Sequence, residues 1–447
     1  MTVPLTRSSA GKPVRAVHLG LGAFHRAHQA WYTAHAVDGD EWGIAAYTGR
    51  SPDAAQALSA QGGLYTLIER SPGADRAEIV DSISEAVDGA DVRHLIDVLS
   101  RPEVSVVTLT ITEAGYGIQA GRPSEAALLD AEIVAAAGRG PLSGSPPPRT
   151  AIGRLALAIE ARRRADAGPL TVVPCDNMPD NGGLTRDALL VFAERLGADS
   201  VEYVRGQVGF VSTSVDRITP RTTDADRADA RRLTGFDDAS PVVTEPFSDW
   251  TLADGFRSAT PAWQSAGAHV VRDIAPYEKR KLWLLNGSHT LLATAGLLRG
   301  SSTVDEAIAD PVTAQWVEEF WDECAPHLPP ELAIDDYRAR LRERFENDRI
   351  RHALGQIAAD TETKLRVRIS PVLRAERAAG RDGAASARVF AAWVALDAQR
   401  KGTGTITTDG VRNTIAAIDP ALAVDDDVVA DIREFATEQS LAANRLT

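Results

Sequence analysis

VRAVHLGLGAFHRAHQAWYT, residues 14–33, contains the transition on which the fold of this chain turns. Val14 to Leu19 has the character of a short buried strand, and the stretch from about Phe24 is aromatic-rich and helical. Between them stands Gly20-Leu21-Gly22-Ala23-Phe24-His25. Glycines at such a place allow a tight turn and let backbone N–H groups approach a pyrophosphate at the positive end of the next helix. His25 occupies the position of the usual third glycine, so the dinucleotide fingerprint is incomplete. An ordinary strand–helix connection competes with the cofactor turn; the strand-turn-helix context near the N-terminus favours the latter.

Outward from this turn the chain continues in α/β units. Gly43 to Tyr47 reads as a second strand. Val104 to Thr112 (VSVVTLTIT) reads as another, entering the turn Glu113-Ala114-Gly115-Tyr116-Gly117. Residues 138–148 (GRGPLSGSPPP) have the composition of a surface loop. The helix that follows carries Ile152, Leu155 and Ile159 on one face and has Gly168 near its end. Leu170–Val173 and Val208–Val215 add two more strands. From about residue 274 the texture becomes helical, over 278–299, 304–323, 331–347, 384–400 and 424–442. The expectation is an α/β N-terminal domain over residues 1–273 and a mostly α-helical C-terminal domain over 274–447.

Whole-chain properties bound the partners. A length of 447 residues exceeds one ordinary core, and 44% apolar with 25% charged residues is normal for a globular protein. The net charge of −14 argues against nucleic acid or anionic membrane. No apolar run reaches transmembrane length, and Met1 to Arg15 lacks the apolar stretch of a secretory signal. With only Cys175 and Cys324 as thiols, these absences point to the cytoplasm. The oligomeric state, monomer or dimer, stays open.

His25, Arg26 and His28 invite a metal interpretation, but no nearby cysteine or carboxylate completes a ligand set, so no metal is expected. Arg26 is better used as a phosphate partner. After the second strand, Arg50 could accept a 2′-phosphate, while Asp53 lies far along for holding ribose hydroxyls. The cofactor expectation is NAD, with NADP possible.

Chemistry concentrates in YEKRKLWLLNGSH, residues 277–289. At about 100° per residue, Lys281, Asn286 and His289 fall within an arc of about 140° of an α-helix. Oxidising an alcohol requires a base for the hydroxyl proton while hydride leaves carbon. A lysine serves if burial lowers its pKa, and it needs no zinc. Amide and imidazole groups can donate to the developing alkoxide and to neighbouring hydroxyls. An exposed lysine beside a satisfied histidine is the plainer alternative. A second turn, Cys175-Asp176-Asn177-Met178-Pro179-Asp180-Asn181-Gly182, follows the strand at 170–173 and brings Asn177 to a strand's C-terminal end. Its composition also suits an ordinary turn.

HLGLGAFHRAHQAWYT (18–33), GLYTL (63–67), TLTITEAGYG (108–117), CDNMPDNG (175–182) and VDRITP (215–220) succeed one another along the chain. PYEKRKLWLLNGSHTLLA (276–293) and RFENDRIRHALGQIAADTETK (344–364) follow. Together they closely resemble the polyol-specific long-chain dehydrogenase/reductase family, which includes mannitol 2-dehydrogenase and fructuronate reductase. The resemblance implies a Rossmann-type N-terminal domain, a helical C-terminal domain and a metal-independent mechanism. It implies Lys281 as the general base, Asn177 and Asn286 as the oxyanion site, His289 as a substrate-positioning group and Glu278 as an aid to proton movement. Gly20, Gly22, Phe24, His25, Arg26, Arg50, Thr110, Glu113 and Asp216 would lie on the cofactor side, Asp216 close to the reacting centre. Lys364 and Arg368 would meet the distal end of the substrate.

Two departures stand out. Trp283 occupies a position where the family commonly carries arginine, and DTETK (360–364) replaces a frequent DGSxK. The expected reaction is reversible hydride transfer between NAD(P) and a linear polyol or its ketose. D-mannitol and D-fructose are the first choice of pair, with fructuronate reduction the alternative. A catalytically silent NAD(P)-binding redox sensor is the competing class.

Overall fold

The computed structural model describes residues 3–49, 51–119, 122–138, 147–402, 405–443 and 445. The chain divides into two compact units, Met1–Ile274 and Ala275–Thr447.

The first unit is built on six parallel strands: β1 Val14–Leu19, β2 Gly43–Tyr47, β3 Ile83–Val87, β4 Val106–Leu109, β5 Leu170–Pro174 and β6 Val208–Phe210. Their spatial order is β6-β5-β4-β1-β2-β3. That is the doubly wound order in which strand succession reverses between β1 and β4, where such sheets place their ligands. Successive residues of β1 serve opposite faces. Val17 and Leu19 join one core, with Ile152, Leu155 and Ile159 of the helix Ala151–Arg164, while Ala16 joins another with Trp250 and Trp263. Both faces are covered, so β1 and β4 are mostly apolar, with His18 and Thr108 as buried polar exceptions.

Val208–Val215 is not one strand. β6 ends at Phe210, and β7, Thr213–Asp216, pairs antiparallel with Asp249–Ala253 in a separate sheet. Both pieces are apolar and β-branched, so the change of sheet leaves little trace in the pattern. Likewise β3, with mostly half-buried residues, lacks the contrast that marks a strand. Most of the loop expected over 138–148 lies outside the described residues.

The second unit is helical. The expected helix 278–299 is three pieces: α-helix Ala275–Arg280, π-helix Lys281–Gly287 and α-helix Ser288–Leu298. All but one residue of the last piece are buried, as suits a helix surrounded by others. Helix Ala384–Lys401 packs on it and on Asp426–Ala443. A second π segment, Leu365–Ile369, packs against the first.

Among the described residues no helix is long and apolar enough to cross a membrane. Cys175 and Cys324 are free and buried.

Candidate active site

Gly20 has φ +113°, and a Cβ there would stand 2.2 Å from the carbonyl oxygen of Thr110, so only glycine fits between β1 and the exit of β4. Thr110 Oγ1 donates to Gly20 O at 2.8 Å. It therefore accepts from His18 Nε2 at 2.9 Å, while His18 Nδ1 accepts from Thr108 Oγ1 at 2.8 Å. This chain of bonds fixes both the imidazole tautomer and the turn. His18 and Thr108 escaped sequence reasoning because a histidine inside an apolar strand carries no motif. The turn feeds the short helix Ala23–Ala27, whose first N–H groups have no side-chain cap at Gly22. A Cβ on Gly22 would meet nothing closer than 3.5 Å. Uncapped donors beside an open glycine suit a dinucleotide pyrophosphate.

The other residues expected here do different work. Arg26 is buried, with Nε on Gly22 O at 3.2 Å and Nη1 bonded to Ser240 O and Oγ. Its guanidinium holds the loop around Ser240 through Nη1. The ring of His25 is buried flat against His18, centroids 3.4 Å apart. Phe24 packs on the core and stacks on His28. Arg50 lies outside the described residues, and of Glu113 the backbone alone is described, opening a 3-10 turn to Tyr116. Asp53 is exposed at the start of helix Asp53–Ala60. Among the described residues no group of three or more His, Cys, Asp or Glu is disposed to hold a metal ion.

Asn177 is exposed on the turn after β5. Two clamps set that turn. Tyr116 Oη donates to Asp176, and Asp176 Oδ1 accepts from Met178 N at 3.0 Å. Burial pushes the Tyr116 phenol up, so it remains the donor. Asn181 spans to β7, giving to Thr213 O at 3.1 Å and taking from Thr213 N at 2.9 Å. Asp216, buried three residues further on β7, stands across from Asp249. One hydrogen-bonded frame thus carries both Asn177 and Asp216.

In the second unit, three cations, Lys279, Arg280 and Lys281, stand in succession. Lys279 donates to His327 O at 3.1 Å and lies 4.2 Å from the Trp283 ring, which accounts for tryptophan at that departure. Arg280 is buried, donates to Leu332 O at 2.8 Å and covers Tyr337. Lys281 opens the π segment. Bonding from i to i+5 brings Asn286 round to Lys281's side, closer than α-helical geometry allows. Both are half-buried, whereas Trp283, Leu284 and Leu285 between them are buried. Trp321 Nε1 and Ser288 Oγ donate to Leu284 O at 2.9 and 2.6 Å, supporting a carbonyl that regular α-bonding would satisfy. A Cβ on Gly287 would meet Phe320 at 2.6 Å, so glycine permits the close packing there. Glu278 is half-buried one turn before Lys281.

His289 is buried, and its Nε2 has no hydrogen-bond partner. Burial, with Arg344 adding to it, holds the ring well below the ordinary histidine pKa and therefore neutral. Lys364 donates to Ile357 O at 2.7 Å and to Ala359 O at 2.5 Å. Arg368 Nη1 donates to Asn286 O and Thr290 Oγ1, both at 3.1 Å, tying the two π segments together. Desolvation pushes Arg368 down to about 10 and also lowers Lys364. Among the described residues both hydrogen-bond to neutral acceptors only.

Burial first of all keeps His18, His25, His289 and His352 below the normal histidine range, His18 at about 3. Unfolding returns each ring to about 6.5, so below that pH the unfolded chain binds more protons and stability falls. Each ring contributes up to about 1.4 kcal/mol per pH unit. His35, raised chiefly by its hydrogen bond to Glu78, opposes them. The urea midpoint is expected to drop clearly between about pH 7.5 and 5.5. A flat profile would contradict the burial of these rings as neutral groups.

Comparison with known proteins adds lineage to this geometry. Residues 14–265 match the model of the mannitol dehydrogenase Rossmann domain, and residues 273–440 that of the mannitol dehydrogenase C-terminal domain. A mannitol 2-dehydrogenase from Pyrenophora tritici-repentis is 36% identical over 391 residues, covering 84% of this chain and 68% of that protein. A D-mannonate oxidoreductase of Escherichia coli is 32% identical over 421 residues, 92% of this chain and 83% of its own length. The structure of Pseudomonas fluorescens mannitol 2-dehydrogenase with NAD and D-mannitol superposes with a TM-score of 0.77 at 31% identity, covering 100% of this chain and 95% of that one.

Proposed function

The chain belongs to the mannitol dehydrogenase family, and from that premise we propose that it is a zinc-independent, NAD-dependent oxidoreductase interconverting a linear polyol and its ketose, of the D-mannitol/D-fructose type. The observation that carries this reading is the π segment, which presents Lys281 and Asn286 together on a half-buried face. Lys281 Nζ takes the proton of the reacting hydroxyl. A nicotinamide dinucleotide held over the Gly20–Gly22 turn would supply the hydride acceptor for the carbinol carbon. The Asn286 amide donates to the oxygen as it gains charge, and the π segment holds it in place before the reaction starts. His289, neutral, holds a neighbouring hydroxyl, and Glu278 assists the proton's exit.

A second substrate reading is favoured by Arg368 and Lys364. Two desolvated cations that, among the described residues, hydrogen-bond only to neutral acceptors would welcome a carboxylate, as in a hexuronate. Purified protein assayed with NADH and NADPH on D-fructose and D-fructuronate, and with NAD on D-mannitol, D-arabinitol and D-sorbitol, separates the readings. Fructose turnover with NADH and mannitol turnover with NAD, both insensitive to a chelator, are the expected results. Preference for fructuronate would select the hexuronate reading. Cofactor binding with no turnover of any of them would overturn both and favour a redox sensor.

A further inference from the structure

His289 is not the only unsatisfied imidazole in the second unit. His352 lies across from it, ring centroids 5.3 Å apart and planes 80° to each other, with Phe345 on the His289 ring at 5.2 Å. The backbone of His352 is pinned. Its N–H donates to Ile350 O at 2.8 Å, its carbonyl accepts from Val304 N at 3.0 Å, and Ala353 bridges to Thr303. The fold therefore dictates where this ring stands. Even so, His352 Nδ1, His289 Nε2 and Arg368 Nε are all buried without a hydrogen-bond partner. Arg368 belongs to the same neighbourhood, since it bonds to Thr290, the residue after His289.

A buried unpaired polar group costs roughly 1–3 kcal/mol. Native cores hold few, and a cluster of three asks for a ligand that completes it. Burial, reinforced by Arg344, keeps both rings neutral. A neutral imidazole donates at one nitrogen and accepts at the other. Two of them side by side match a pair of hydroxyls, each of which also donates and accepts. The Nε–H of Arg368 adds a pure donor.

We propose that His352 is a substrate-contacting specificity residue, which with His289 holds two neighbouring hydroxyls of the polyol chain. The proposal rests on the reading of His289 as substrate-facing, and it adds a partner from the otherwise unassigned segment 346–353.

The test is calorimetric titration of D-mannitol and of D-mannonate into NADH-loaded protein, which binds without reacting, together with steady-state kinetics. The wild type is compared with His352→Ala and His352→Asn. Replacement by alanine is expected to weaken whichever polyol the wild type binds by about 10-fold, one hydrogen bond's worth. KM should rise in parallel, with kcat within about 3-fold and NADH affinity unchanged. Asparagine, which keeps a donor and an acceptor, should recover part of the loss. Wild-type affinity in His352→Ala, loss of NADH affinity alongside, or a wild type that binds neither polyol would each overturn the proposal. Wild-type binding without turnover would sink the dehydrogenase reading, while the His352 contact would still be decided by the affinities.

Discussion

Lys281→Ala is expected to lower kcat by about 10³- to 10⁴-fold, at the upper end of what a general base contributes. The affinity for NADH should change less than about 3-fold. The side chain opens the π segment, whose buried residues Trp283, Leu284 and Leu285 hold it in the core and whose Leu284 carbonyl is supported by Trp321. Truncating Lys281 leaves those contacts in place, so a loss of turnover would report chemistry and not folding. The limb of the pH–rate profile due to the base should vanish in the variant. Retained turnover, or equal losses in turnover and cofactor affinity, would remove lysine from the role.

The paired glycines supply the second large effect. Gly20→Ala forces a Cβ to within 2.2 Å of Thr110 O at φ +113°, at a cost of about 3 kcal/mol or more, and is expected to lower Tm and NADH affinity together. Gly22→Ala meets nothing closer than 3.5 Å at φ −146°, so Tm should hardly move. If the pyrophosphate rests on that turn, NADH binding should still weaken by roughly 10- to 100-fold, or about 1.4–2.8 kcal/mol. Thermal unfolding and fluorescence titration read both quantities. An unaltered affinity in Gly22→Ala would move the cofactor away from the turn.

The doubly wound sheet was legible where strands are buried on both faces. Val14–Leu19, Gly43–Tyr47 and Leu170–Val173 need no tertiary information, because short, mostly apolar stretches between turns leave little choice. Legibility failed where packing overrides local pattern. The split of Val208–Val215 between two sheets, and the engagement of Arg26 by Ser240, depend on residues distant in sequence. Residue types alone mark Lys281, Asn286 and His289 as candidates, but α-helical spacing does not describe the π segment that holds the first two. The widening depends on Trp321, Phe320 and Arg368 from other helices. His352 was passed over because one histidine in a polar segment signals nothing until its neighbour is known.

The π segment has a consequence for how such a protein can evolve. A widened turn holds one more residue than a regular helix needs over the same rise. Losing any single position between Lys281 and Asn286 would let the helix relax to its ordinary winding. Asn286 would then stand four residues from the lysine, about 40° round a regular helix and still on its side. Gaining or losing that one residue changes the width of the turn without turning the downstream face away from the lysine. A single insertion into an ordinary helix is therefore a one-step route to this segment.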